Sequence, residues 1–122
     1  PLLVGDWSAR SGYEAGQVLA GIPEARSVFV GNDHMALGLL LALHERGRRV
    51  PEDVCVVGFD DIPEAAYVIP PLTTVRQDFG DVGRTCVDLL IEQIDTGTRS
   101  SQRRVIRPQL MVRRSSAASR PA

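Results

Sequence analysis

Val54-Cys55-Val56-Val57-Gly58-Phe59 runs without a charge into Asp60-Asp61. A short continuous apolar run rich in β-branched residues is the pattern of a strand buried on both faces. Upstream, His34 to Arg46 reads as a helix stopped by Gly47 at a C-cap position. Ser27 to Val30 reads as a strand that ends in the turn Gly31-Asn32-Asp33. Before it, Ser8 or Ser11 caps a helix through about Ala20, closed by Gly21 and Pro23, and Leu2-Leu3-Val4 reads as a short buried strand. Downstream, Leu72 to Arg76 is a further strand, Phe79 to about Asp95 a long helix ending at Gly97, and Val105 to Val112 an extended segment interrupted by Pro108. From Ser115 onward the small and polar residues read as a disordered tail.

Strands alternating with helices across short links imply right-handed βαβ crossovers and a parallel sheet, so the fold class is α/β. Ligands of such sheets bind beyond the carboxyl ends of the strands. Three loops carry polar or aromatic groups there: Asp6-Trp7, Asn32-Asp33 and Asp60-Asp61.

The chain has 122 residues, 43% hydrophobic, with a net charge of −1. That is ordinary globular composition, with no global attraction to nucleic acid or anionic membrane. No apolar run approaches the roughly 20 residues of a membrane span, and Pro1 to Val4 lacks the marks of a signal peptide. Cys55 and Cys86 sit in apolar settings and read as two buried free thiols; neither belongs to a cluster with metal-ligand spacing.

Paired acids at a strand end invite a catalytic or metal reading. Neighbours in an extended chain point to opposite sides, however, so Asp60 and Asp61 are not expected to converge on one atom. His34 and His44 are the only histidines and read as surface or interface residues; no nucleophile–base pair and no glycine-rich phosphate loop is evident. The expectation is a protein that is not an enzyme and needs no cofactor or metal. A binding role fits better. A carboxylate accepts from two vicinal hydroxyls, an amide both donates and accepts, and an aromatic plane covers the C–H face of a ring. Asp60, Asn32 and Trp7 supply these three to a sugar.

The helix after Asn32 is apolar on more than one side. Met35, Leu39 and Ala42 form one stripe, Leu37 and Leu41 another. A helix on a sheet needs one stripe about 100° wide. The second is either buried within the domain or faces another subunit.

The motifs GDWSARSGYEAG (5–16), VGNDHMALGLLLALHERGRRVPEDVCVVGFDD (30–61) and IPPLTTVRQDFGDVG (69–83) resemble the C-terminal part of the lactose-repressor (LacI/GalR) family of regulators, from about Gly5 to Arg114. The resemblance implies a parallel, three-layer fold of periplasmic-binding-protein type, present as an incomplete C-terminal fragment. It implies that residues 1–77 belong to one subdomain, 78–104 to a helix and loop of the other, and 105–116 to a returning strand, with 117–122 a tail. It implies sugar contacts at Trp7, Phe29, Asn32, Asp60, Gln77 and Phe79, with Asp61 an outward, structural residue. It implies a dimer interface at Ser8, Ser11, Met35, Leu37, Leu41, Glu64 and Tyr67.

The expected partners are therefore a small sugar effector and a second copy of the chain, as a homodimer or domain-swapped assembly. Operator DNA would be reached only through an N-terminal helix-turn-helix outside this chain, and no membrane is expected. Arg46 to Arg49 read as a helix end suited to positive charge rather than as a nucleic-acid contact. The implied setting is cytoplasmic. The alternative is a sugar-binding protein that feeds a transporter.

Overall fold

The computed structural model describes residues 1–99 and 101–117. Two compact units divide the chain: Pro1–Arg76 together with the segment from Leu110 onward, and Gln77–Gln109. The breaks fall at 76/77 and 109/110.

In the first unit, α1 (Ala9–Ala20) precedes β1 (Ser27–Phe29), α2 (Asp33–Glu45), β2 (Cys55–Asp60), a 3₁₀ turn (Pro63–Ala66) and β3 (Thr73–Arg76). β1 pairs with β2 and β2 with β3, both parallel, and β4 (Gln109–Met111) completes the sheet order β1-β2-β3-β4. Ser8 is the cap of α1, its Oγ accepting from Ser11 N at 3.1 Å; Asn32 caps α2, its Oδ1 accepting from Met35 N at 2.9 Å.

Leu19, Ala36, Leu39, Leu40 and Leu43 from the helices meet Val30, Val54, Val56 and Leu72 in one core. Burial alternates into and along β2: Val54 just before it, Val56 and Gly58 are buried, whereas Cys55, Val57 and Phe59 are only partly so. The uncharged run therefore does not mark a strand sealed on both faces. One face lies under the helices and the other keeps partial access to water.

α1 and α2 meet through glycines. A Cβ at Gly12 would fall 1.9 Å from the carbonyl oxygen of Met35, and one at Gly38 would fall 1.8 Å from that of Ala9. Behind this crossing, Arg48 donates to the carbonyls of Ala20, Ile22 and Ala25, and Arg49 pairs with Asp53 at 2.7 Å. Two of the three arginines of the expected helix end are thus spent on fastening loops, and the third, Arg46, donates to Gln17 Oε1.

Two expectations about the ends of the chain fail. Leu2-Leu3-Val4 is not a strand; Leu2 and Val4 are both 92% exposed, and no neighbouring strand among the described residues offers them a ladder. Ser115, read as the start of a tail, is fully buried. Its Oγ donates to Val56 O (2.6 Å) and accepts from Thr73 N (2.7 Å), while its carbonyl accepts from Val56 N (2.8 Å). A small hydroxyl residue fits between β2 and β3 and satisfies backbone groups on both, which a composition argument could not see. Of the predicted tail 117–122, only Ala117 lies within the described residues.

In the second unit, α3 (Phe79–Thr96) is capped by Asp78, whose carboxylate accepts from Asp81 N at 2.8 Å, and it ends on Gly97 with φ 63°. Ion pairs join Arg84 to Asp81 and Arg104 to Glu92. No residue of α3 is buried, so Val87, Leu90, Ile91 and Ile94 are exposed, and so is Cys86. This corrects the buried-thiol reading of Cys86; Cys55, on β2, is only partly buried.

Candidate functional site

The parallel pairing brings the ends of β1, β2 and β3 to one edge of the sheet. Trp7, Phe29, Asn32 and Asp60 belong to that unit; Gln77 and Phe79 belong to the second.

Trp7 is 68% exposed and has φ 71°, a left-handed conformation rare for a bulky side chain. Several bonds hold it there. Asn32 Nδ2 donates to its carbonyl at 3.0 Å. The Asp6 carboxylate accepts from the N–H and the hydroxyl of Ser8, and Ser11 Oγ accepts from Asp6 N at 3.1 Å. The hydroxyls of Ser8 and Ser11 hold the Asp6 carboxyl down at about 2. The indole lies beside Gly31, where a Cβ would come 3.4 Å from its Cζ3. Phe29 is exposed and meets Phe59 edge to face, ring centroids 6.4 Å apart.

Asn32 is only 8% exposed, and its side chain is already engaged at both ends, by Met35 N and by the Trp7 carbonyl. One N–H and one lone pair remain for a ligand. Its side chain thus ties the Trp7 carbonyl to the start of α2. Ser8 and Ser11, expected at a subunit interface, are partly buried and bonded within the same turn.

Asp60 and Asp61 follow a different geometry from the one expected. Their φ values are 109° and 56°, both left-handed, so the alternation of an extended chain does not apply. Such backbone costs about 1–3 kcal/mol per residue and persists only where neighbours fix it. The Asp61 side chain is 4% exposed rather than outward. Its Oδ2 accepts from Arg76 Nε at 2.6 Å. Its Oδ1 lies 2.7 Å from Arg113 Nη1 as an ion pair without a directed hydrogen bond; that nitrogen donates to the Leu72 carbonyl at 2.8 Å. Burial works to raise the Asp61 pKa, but Arg113 and then Arg76 bring it below the usual carboxylate value.

Sequence reasoning passed over Arg113, placed Asp33 only in the strand-end turn and read Ser115 as tail. Asp33 is buried and accepts from Thr74 Oγ1 and Ile62 N. An acid in a helix's first turn is usually read as a solvated dipole partner, and its burial depends on strands that come later in the chain. A cavity of about 370 Å³ lies elsewhere, between Leu2-Leu3, α1 and β1, and of the expected ligand contacts only Phe29 lines it. Trp7, Asn32 and Asp60 lie at the strand ends and not in this gap.

On the outer side of the helix pair, Leu37, Leu41, Tyr13 and Ala9 border a shallow depression, and Tyr13 donates to Glu45 Oε2 at 2.6 Å. Leu41, Glu64 and Tyr67 are exposed, while Met35 and Leu37 are partly buried.

Residues 4–116 match the model of the periplasmic binding protein-like domain. The ribose operon repressor of Escherichia coli (strain K12) is 38% identical over 112 residues, which cover 91% of this chain and 34% of the repressor. The lac repressor dimer bound to operator and the anti-inducer ONPF superposes with a TM-score of 0.84 at 38% identity, over 93% of this chain and 40% of that one. A LacI family regulator from Arthrobacter sp. FB24 in complex with lactose gives 0.82 at 35%, over 93% and 44%. The chain spans about a third of the length of the curated relatives it matches. It belongs to the periplasmic-binding-protein-like family, as a part of the effector-binding domain of the LacI/GalR regulators.

Proposed function

We propose that this chain forms part of the sugar site and of the dimer interface of a LacI/GalR-type transcriptional regulator acting in the cytoplasm. The observation that carries the reading is the convergence of Trp7, Asn32 and Asp60 at the carboxyl edge of a parallel sheet, in a chain whose matched relatives are repressors. In this reading Trp7 stacks on the apolar face of the ring, Asp60 accepts from hydroxyls, and Asn32 aims Trp7 and adds one polar contact. Effector binding changes dimer geometry and thereby operator affinity, a coupling between two sites. DNA contact belongs to a helix-turn-helix outside this chain, and no catalytic step is assigned to it. A transporter's sugar-binding protein would share the fold; the repressor relatives favour the regulator.

Calorimetry on the full-length protein with D-ribose, lactose and D-galactose tests the ligand. At least one sugar binds, and Asp60→Asn weakens it by about 10- to 100-fold, the scale of a lost charged hydrogen bond. A protein that ignores all three sugars overturns the reading.

The second copy is proposed to sit on Leu37, Leu41, Met35, Glu64 and Tyr67, with Ser8 and Ser11 shaping the adjoining turn. Leu41 is 52% exposed on an otherwise apolar helix. Leu41→Glu places a charge in that seam and raises the dimer dissociation constant by about 100-fold or more. Light scattering at tens of micromolar, on the order used for such assemblies, reads the change. A wild-type protein that runs as a clean monomer removes the dimer proposal.

A further inference from the structure

Asp33 is the first residue of α2 and is fully buried. Its Oδ1 accepts from Thr74 Oγ1 on β3 at 2.6 Å, and its Oδ2 accepts from the N–H of Ile62, just past β2, at 3.0 Å. β2 makes room for it: a Cβ at Gly58 would lie 2.2 Å from Oδ1. Among the described residues no cation forms an ion pair with Asp33. Burial pushes its pKa up, the bonds from Thr74 and Ile62 pull it down, and the charge of Asp60 pushes it up again. A buried carboxylate without a cation is an expensive group. An Asn or Ser would suffice to fill a helix's first turn.

Its position explains what the cost maintains. Asp60 and Asp61 are left-handed residues that need external support. Asp33 grips the chain at Ile62, directly after them. Thr74 Oγ1, bonded to Asp33, also accepts from Asp61 N at 3.3 Å. The backbone on the far side of Asp60 is therefore held at two points that both lead back to one carboxylate.

We propose that Asp33 is a positioning residue for the sugar contact at Asp60, acting through Ile62 and Thr74 to fix the backbone turn that presents the Asp60 carboxylate. The inference rests on the sugar reading above.

A double-mutant cycle in the full-length protein tests it, by calorimetry with whichever of D-ribose, lactose and D-galactose binds most tightly. Asp33→Asn alone loses about tenfold in affinity, whereas in an Asp60→Asn background it loses less than about threefold, because residues in one network are coupled. Asp60→Asn keeps one acceptor oxygen, so residual binding stays measurable. Thr74→Val repeats the pattern, and Thr74→Ser, which keeps the hydroxyl, stays close to wild type. If Asp33→Asn fails to fold, the Thr74 pair carries the test. Equal losses in both backgrounds, or no loss from Asp33→Asn and Thr74→Val, overturn the positioning role. Unchanged affinity in Asp60→Asn itself, or no sugar bound, overturns the sugar reading beneath it.

Discussion

Gly38→Ala is expected to destabilise the first unit by about 3 kcal/mol or more, at the upper end of overpacking substitutions. The added Cβ would sit 1.8 Å from the carbonyl oxygen of Ala9 and 2.6 Å from the backbone nitrogen of Tyr13. Neither is a side-chain atom that could swing aside, so α1 must move away from α2. That movement also opens the reciprocal contact at Gly12 and loosens Leu19 and Leu39 in the core. The control is Gly83 on α3, where an added Cβ meets nothing within 4 Å. Gly83→Ala should gain about 0.5–1 kcal/mol from helix propensity alone. Urea titrations of both variants give opposite signs. A Gly38→Ala protein within about 1 kcal/mol of wild type would mean that the backbones do not touch as described.

Asp61→Ala removes the common partner of two arginines. Arg113 is the more buried, with its side chain 18% exposed, and Arg76 is 48% exposed. Breaking a buried pair costs about 3–5 kcal/mol, and the half-exposed arginine argues for the lower figure. The acid dependence has a definite sign. The carboxyl of Asp61 is held below its ordinary value by Arg113 and Arg76 against the opposing effect of burial. Its contribution is therefore complete above the unfolded pKa of about 3.9 and is lost as pH falls through the lower folded value. The gap between wild type and Asp61→Ala should be widest at neutral pH and shrink in strong acid. Thermal melts at neutral pH and below pH 3, roughly an order of magnitude in protons under the unfolded carboxylate pKa, would show this. A gap that does not narrow in acid removes the ion pairs as its cause.

The parts of this chain that could be read in advance are those specified by short-range chemistry. Ser8 and Asn32 cap helices because a hydroxyl or amide can reach an N–H two or three residues on. Cys55–Asp60 is a strand because little else suits the apolar run that leads into it, although its two faces proved unequal. The placement of Trp7, Asn32 and Asp60 at one edge followed from parallel pairing. What the sequence hid depends on distant partners. Asp33 meets Thr74 across 41 positions, and Arg113 reaches Thr73 and Leu72 across 40 and 41. Gly12, Gly16, Gly38 and Ala42 form a small-residue spacing on two helices that could have signalled close approach, but only once the helices were known to pair. The left-handed turn at Asp60-Asp61 overrode the alternation rule because Arg76, Arg113 and Asp33 lie around it.

Ser115 bears on how the molecule is made. Its bonds to Val56 and Thr73 close loops of 59 and 42 positions, and the whole of Gln77–Gln109 lies inside them. During synthesis, β2 and β3 emerge from the ribosome well before the residue that bonds to the start of both. At about 5–20 residues per second, that interval lasts several seconds. Through it β2 and β3 can pair directly from Val57 and Thr73 onward, but the amide and carbonyl of Val56 and the amide of Thr73 lack the partner that Ser115 supplies. Removing Ser115 with the residues after it would leave those buried backbone groups without that partner.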